Sequence, residues 1–425
     1  MRQRFFVTAA REAALAALNA VTRDGAYTAL ALKKHLPVNL SPEDKRFASL
    51  LVRTTLENLL RIDFALSAFI KSARGALRNI LRLGACQLLI LDTQNYAAVS
   101  ESVALAKKFK PHSAGFVNAA LRALAEGKDG IKYPEGKTAY ALSIRQSCPL
   151  WICEKYISDF GYEFAEALLG AKASTDTHVR MNPLKTNKKD FEAALDKYGL
   201  SRKESGAEDG YYIGAFLNIE NTSLFADGLL AVQSKSAMRA VEAVGIKPSD
   251  KLLDCCAAPG GKSAYAAALT GGGVDITAWD IHPHRVEMMK KNFERLGVKA
   301  KTALRDAREA GPRLYDCFDV VLIDAPCSAM GLMAGSPDIR YKRKKEDIEA
   351  LPVLQRNLLK GCAGYVKAGG KLAYMTCSVN REENEGVIDA FLESANNFSL
   401  EKPAVTLYPH ICGSDGFFYA VMRKQ

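Results

Sequence analysis

Residues 251–263 read Lys251-Leu252-Leu253-Asp254-Cys255-Cys256-Ala257-Ala258-Pro259-Gly260-Gly261-Lys262-Ser263. The first three form a short apolar strand, and a helix is expected after the glycines. Adjacent glycines let the backbone turn sharply and approach a ligand closely. The amino end of the following helix offers unpaired N–H groups and the positive end of a dipole. The spacing is not Gly-x-x-x-x-Gly-Lys-Ser/Thr, which disfavours a Walker-type triphosphate site. A purely structural tight turn is the plain alternative for this loop.

Downstream the pattern repeats. Ile276-Thr277-Ala278-Trp279, Asp319-Val320-Val321-Leu322-Ile323 and Lys371-Leu372-Ala373-Tyr374-Met375 read as further strands. Helical stretches intervene at 285–296, 346–366 and 382–393. Strand alternating with helix implies a mostly parallel sheet covered on both faces. Ligands of such sheets sit beyond the carboxyl ends of the strands. Asp280 closes the second strand, about 20 residues past the glycines, where an acid commonly accepts from ribose hydroxyls. Asp306 follows the next apolar stretch, where an acid or its neighbours can meet a purine amino group. Either acid alone is equally a helix cap or a surface group. Together at successive strand ends they favour a nucleoside pocket.

The next strand ends in Asp324-Ala325-Pro326-Cys327-Ser328-Ala329-Met330-Gly331, and the last in Thr376-Cys377-Ser378. A lone buried cysteine is usually inert. Two thiols and a carboxylate on the ligand edge suggest chemistry on a pyrimidine. Carbon 5 of cytosine is too weakly nucleophilic to take a methyl group unaided. A thiolate adding at carbon 6 pushes electron density to carbon 5 and divides one hard step into two easier ones. A carboxyl group near ring nitrogen 3 can hold a proton there. A base must then remove the carbon 5 proton so that the thiol can leave.

Upstream of the sheet, residues 149–246 give mixed signals. A helix is expected at 151–170, a short strand at 178–182 and a helix at 188–198, making a small α+β segment. Residues 126–138, with glycine, proline and lysine, read as a linker. The first 125 residues read as helix after helix, with Ser41-Pro42-Glu43-Asp44 as a helix start. Lys and Arg total 22 through Arg145 against 11 Asp and Glu, whereas the remainder holds 36 of each. The whole net charge of +11 thus sits in the first third. A basic region on a neutral remainder suggests a polyanion, most simply nucleic acid. A solvated basic surface is the bland reading.

The 425 residues, 48% hydrophobic and 25% charged, are those of an ordinary globular protein of two or three domains. No apolar run reaches the roughly 18–20 residues of a bilayer span, and the start lacks a secretory pattern. A cytoplasmic protein is expected. The ten cysteines form no Cys-x-x-Cys pair and no zinc spacing, so no metal site is read.

These segments, taken in order, resemble the bacterial RsmB/Sun branch of the RNA 5-methylcytosine methyltransferases. Cys256-Ala257-Ala258-Pro259-Gly260-Gly261-Lys262 looks like that family's methyl-donor loop. Asp324-Ala325-Pro326-Cys327-Ser328 and Thr376-Cys377-Ser378 look like its catalytic segments. Glu382-Glu383-Asn384 and Asp415-Gly416-Phe417-Phe418 match its downstream pattern, and Asn118-Ala119-Ala120-Leu121-Arg122 is typical of its leading domain. The resemblance covers most of the chain. It implies an all-α NusB-like RNA-binding domain at 1–128, a linker and small α+β RNA-recognition subdomain at 129–245, and an α/β Rossmann-like class I methyltransferase domain at 246–425. It implies S-adenosylmethionine as cofactor, small-subunit ribosomal RNA as substrate and a monomeric enzyme.

By position, Cys377 matches the nucleophile and Cys327 the cysteine that aids product release. Asp324 matches the acid near ring nitrogen 3. The donor pocket falls on Cys256, Ala257, Ala258, Pro259, Gly260, Gly261, Lys262, Asp280, Asp306 and Asp324. There are departures: Ala329-Met330 stands where Gly-Thr is usual, and Gln233-Ser234-Lys235 where Gln-Asp-Glu is common. The basic run Lys342-Arg343-Lys344-Lys345 is either a phosphate contact or a solvated helix start. Three alternatives stay open: the same reaction on transfer RNA, methylation of an exocyclic amine, and a non-catalytic RNA-binding or assembly factor.

Overall fold

The computed structural model describes residues 8–214, 219–309 and 311–425. They fall into two compact units. The first comprises the chain up to Gly170 together with Ser336–Arg343, and the second the rest.

The first unit is helical. Seven helices run Ala9–Thr22, Thr28–His35, Pro42–Glu57, Leu59–Ser67, Gly75–Leu89, Asn95–Phe109 and Ala114–Gly127. The expected start at Ser41 is present: its hydroxyl accepts from Asp44 N at 3.1 Å, with Pro42 in the first turn. Capping by Ser with proline next to it supplies a partner for one of the helix's orphan donors. Leu15, Leu18, Leu51, Leu56, Ile80, Leu81 and Leu121 close a single buried core.

This compact unit runs on past residue 128. Residues 128–138 do not separate two bodies: Tyr133 stacks on Phe64, with ring centroids 5.5 Å apart. Helices Ala139–Arg145, Leu150–Phe160 and Tyr162–Leu169 belong to the same unit. Ser147 Oγ accepts from Leu60 N at 2.8 Å. The segment 336–343 is tied in by buried polar groups. Asp338 accepts from Thr28 Oγ1 at 2.7 Å and pairs with Lys342 Nζ at 3.0 Å, while Arg340 Nη1 donates to Gln146 O at 2.9 Å. Buried charge is tolerated only when paired in this way.

The second unit begins with a small antiparallel sheet. Strands β1 (Thr177–Met181), β2 (Arg202–Glu204), β3 (Gly210–Ile213) and β4 (Leu230–Val232) lie in the order β2-β3-β1-β4. Helix Lys188–Lys197 accompanies this sheet, and its Phe191 and Leu195 pack with Val179, Ile213 and Leu230. The strand and helix expected here are both present.

The larger sheet contains β5 (Lys251–Asp254), β6 (Asp275–Asp280), β7 (Ala300–Leu304), β8 (Phe318–Asp324), β9 (Val366–Thr376), β10 (Phe398–Leu400), β11 (Val405–Leu407) and β12 (Phe417–Lys424). The order is β10-β12-β9-β8-β5-β6-β7, with β11 paired to β12. Four pairings make β9, β8, β5, β6 and β7 parallel, and β12 joins antiparallel to β9. Leu252, Val320, Leu322, Ala373 and Met375 enter one core, and Leu253, Val321, Ile323, Leu372 and Tyr374 the other. Alternate side chains point to opposite faces of a strand. A sheet buried on both faces therefore reads as continuous apolar runs, the signal visible in the sequence. Strand β7, with Lys301 and Thr302, lies at the sheet edge and reads from sequence only as an apolar stretch. Among the described residues no helix is long and apolar enough to cross a membrane.

Candidate active site

The chain leaves β5, crosses outward to β6 and β7, and returns to β8 on the other side of β5. That reversal is the topological switch point, where open α/β sheets bind ligands. The quoted loop sits there. Gly260 has φ +91°, and a Cβ on it would lie 2.6 Å from Phe293 Cε1, so only glycine fits the turn. The helix Gly261–Leu269 follows directly.

Asp254, at the end of β5, is 1% exposed. Ser263 Oγ donates to its Oδ2 at 2.6 Å, while Oδ1 has no hydrogen-bond partner among the described residues. Burial raises its pKa to about 6, from an ordinary 3.8. A carboxyl group raised in the folded state favours folding at low pH, and that advantage is lost as pH rises from about 4 to about 6. The roughly two-unit shift corresponds to about 3 kcal/mol. Asp254→Asn should therefore gain stability relative to the parent by up to that amount between pH 4 and pH 7. Chemical denaturation at both pH values checks this. A difference between the two proteins that does not change with pH would refute it.

A cavity of 490 Å³ opens at the strand ends, lined among others by Cys256, Ala258, Asp280, Asp306, Asp324, Cys327 and Cys377. That size is ordinary for a small-molecule site, roughly 300–1,000 Å³. Ile281, Leu354 and Leu358 supply apolar wall. Asp280 takes His282 N at 3.0 Å on one oxygen and Arg285 Nη1 at 3.2 Å on the other. Arg285 also donates to Ala258 O at 3.0 Å, tying the loop to this acid. Asp306 is held by Arg308, whose Nε lies 2.9 and 3.0 Å from its two oxygens. The hydrogen bond from Arg308 holds the Asp306 carboxyl below its ordinary pKa. Arg305 lies 4.4 Å over the Trp279 ring. Acids on the rim and apolar wall beside them fit a charged nucleoside such as S-adenosylmethionine.

Ala257, Pro259, Gly260, Gly261 and Lys262 shape the loop but do not line the cavity. Lys262 turns to Asp324 instead, with Nζ 2.5 Å from Oδ2. Burial alone would lower the lysine's pKa, but the Asp324 charge outweighs it, and the ammonium is held charged.

The two thiols meet. Cys327 Sγ and Cys377 Sγ are 3.1 Å apart. Strands β8 and β9 are parallel neighbours with Asp324 opposite Met375, so the turns after them start side by side. Gly331 N donates to Cys377 O at 3.0 Å, and Gly416 N to Gly331 O at 2.8 Å. A Cβ on Gly331 would collide with the backbone of Gly416. Ala329 adopts φ +60°, where glycine is favoured. This departure from the family pattern stores about 1 kcal/mol beside Cys327. The hydrogen bond to Cys377, burial, the charge of Cys377 and, less, that of Glu383 push the Cys327 thiol up. Burial likewise raises Cys255 and Cys256, and Cys86 to about 12. Those three are poor thiolates at neutral pH.

Lys342 of the basic run is pinned within the first unit, 3.8 Å over the Tyr27 ring and 2.6 Å from Ala26 O. Lys344 and Lys345 start the helix Lys345–Ala363. Ser234 of the other departure caps the helix Lys235–Val244, and Gln233 Oε1 accepts from buried Arg180 Nε at 3.1 Å. Two residues with clear structural consequence had no sequence role: Asp254 and Glu383. Asp254 was visible as a strand-end acid, the same signal that marked Asp280. Glu383 offered only its place in Glu382-Glu383-Asn384.

The crystal structure of a protein named PH0851 superposes with a TM-score of 0.83 at 25% identity, covering 98% of each chain. NSun6 from Pyrococcus horikoshii with SFG, an analogue of S-adenosylmethionine, superposes at 0.60 and 23% identity, over 65% of this chain and 98% of its own. Fold and cavity thus define a Rossmann-like, S-adenosylmethionine-dependent methyltransferase behind a helical domain. Residues 241–423 match the 16S rRNA methyltransferase RsmB/F family, and residues 8–126 the NusB family. The "Probable ribosomal RNA small subunit methyltransferase B" of Bacillus subtilis (strain 168) is 33% identical over 98% of this chain and 99% of its own length. The chain belongs to the RsmB/F family of 16S rRNA methyltransferases.

Proposed function

We propose that this enzyme methylates carbon 5 of one cytosine in small-subunit ribosomal RNA through a covalent bond between Cys377 and the base. The observation that carries this reading is the 3.1 Å contact between Cys327 and Cys377 at the edge of the cavity. A methyltransferase of an exocyclic amine needs no thiol, so two at the reacting edge favour carbon 5. Asp280, Asp306 and, from the loop, Cys256 and Ala258 would hold S-adenosylmethionine, which would supply an electrophilic methyl group. The Cys377 thiolate forms a bond to carbon 6, and the electron pair displaced from the double bond makes carbon 5 nucleophilic. Asp324, steadied by Lys262, holds the proton at ring nitrogen 3. After methylation the Cys327 thiolate takes the carbon 5 proton, whose electrons re-form the double bond as the carbon–sulfur bond breaks and Cys377 departs as a thiolate.

The basic helical region is read as an RNA-holding domain, and residues 171–245 as a smaller RNA-recognition element. Lys and Arg contacts to phosphate release counterions, so affinity falls steeply with salt. The target base must leave its stack to reach the thiols. The reading includes a cytoplasmic, monomeric enzyme. The test maps 5-methylcytosine in RNA from cells with and without the gene. Loss of one small-subunit ribosomal position is the expected result. Loss confined to transfer RNA, or no loss, overturns the substrate.

A further inference from the structure

Glu383 lies in a short turn after β9 and is 0% exposed. One carboxylate oxygen accepts from Ser328 N at 2.8 Å and Gln355 Nε2 at 3.1 Å. The other accepts from Ser328 Oγ at 2.5 Å, Ser378 Oγ at 2.8 Å and Asn380 Nδ2 at 2.7 Å. All five partners donate, the pattern an ionised carboxylate requires. The hydroxyls are free to donate because each accepts elsewhere: Ser328 Oγ from Asn380 Nδ2 at 3.2 Å, and Ser378 Oγ from Asn380 N at 3.1 Å. Ser328 follows Cys327, and Ser378 follows Cys377. One buried carboxylate therefore grips the residue next to each thiol. Hydrogen bonds to a charged group are shorter and stronger than neutral ones. Tyr374 OH, from β9, donates to Glu383 O at 2.7 Å and anchors the backbone that carries the clamp.

We propose that Glu383 is a positioning residue for the two cysteines: its carboxylate clamps their turns together and sets a negative charge beside Cys327. The clamp explains why two loops from separate strands hold their sulfur atoms in contact. The charge explains a division of labour between chemically identical groups. A negative carboxylate beside Cys327 opposes a second negative charge there. Asp324, by contrast, has its charge matched by Lys262. In the RNA-free protein the Glu383 carboxylate thus opposes ionisation of Cys327 and leaves Cys377 as the nucleophile. The catalytic part of this inference rests on the carbon 5 reading above, but the thiol asymmetry does not.

Two readouts separate those parts. The first labels the RNA-free protein with iodoacetamide across pH 6–9 and follows Cys327 and Cys377 by mass spectrometry. In the parent, Cys327 should label at least about tenfold more slowly than Cys377 at neutral pH, because the Glu383 carboxylate opposes its ionisation. In Glu383→Gln that ratio should collapse, with the Cys327 profile moving to lower pH. Ser378→Ala keeps the charge and removes one donor. It should leave the labelling profile in place while slowing single-turnover methylation of a ribosomal RNA fragment. A merely structural role would slow both variants without moving either pH profile, and that outcome overturns the proposal. If Glu383→Gln does not fold, Ser328→Ala takes its place: it deletes a clamp donor next to Cys327, and unchanged single-turnover rates in both serine variants overturn the clamp. Intact asymmetric labelling with no methylation of the RNA would condemn the carbon 5 reading and leave the asymmetry standing.

Discussion

Cys377→Ala should reduce methyl transfer by at least about 10⁴-fold while donor binding stays within about twofold. A drop of that size is about 5.5 kcal/mol of transition-state stabilisation. It follows from removing a covalent nucleophile, because no other group activates carbon 5. Donor binding should survive because Asp280, Asp306 and the loop around Ala258 lie on other strand ends. Single-turnover transfer of labelled methyl, together with calorimetric titration of the donor, checks both halves. Turnover within tenfold of the parent would remove Cys377 from the nucleophile role. Loss of donor binding would show instead that the substitution had damaged the cavity.

Cys327→Ala should behave in the opposite sense, accumulating a protein–RNA adduct that survives denaturing gel electrophoresis. The methyl group is already on the base in this species, and the bond from Cys377 to carbon 6 is intact. Release needs the carbon 5 proton to depart, and Cys327 is the group 3.1 Å from the attacking sulfur. Most of the enzyme should be trapped within one turnover, against a trace in the parent. The double variant should trap none. An adduct that forms in Cys377→Ala instead would mean that the two thiols exchange roles.

These expectations depend on contacts that differ in how far they could be read along the chain. The loop 256–262 was legible because its meaning is local. Strand, glycine turn and helix follow one another within a dozen residues, and Gly260 needs its positive φ whatever surrounds it. Asp280 and Asp324 were legible because apolar runs mark strands, and the last residue of a parallel strand lies on the ligand edge. The antiparallel β12 and the edge strand β7 were not. Lys301 and Thr302 interrupt the apolar residues of β7 at the sheet margin, while the apolar run Phe417–Met422 says nothing of the antiparallel direction of β12, which its pairing with β9 decides.

The extent of the helical unit was also hidden. Glycine, proline and lysine at 126–138 look like the end of a domain, yet the aromatic contact between Phe64 and Tyr133 keeps that stretch within the unit. Ser336–Arg343 belongs to the same unit despite its place late in the chain. Nothing in its residue types announces that Asp338 will accept from Thr28, 310 positions earlier. Glu383 is hidden for a related reason. By residue type, nothing in Arg381-Glu382-Glu383-Asn384 marks which acid is buried. Only the packing of its turn against two others makes it a buried acceptor for five donors.

The chain's own order of residues was therefore enough to establish a basic helical region followed by a nucleoside-binding α/β sheet, together with the residue types of its chemistry. Those follow from backbone rules and side-chain reactivity that act over a few neighbours. Tertiary structure alone decided that the sulfurs of Cys327 and Cys377 touch, that Lys262 neutralises Asp324, and that one carboxylate binds both thiol turns. Such pairings span up to 62 positions. They depend on the register of parallel strands and on low-dielectric burial, neither of which a linear spacing can encode.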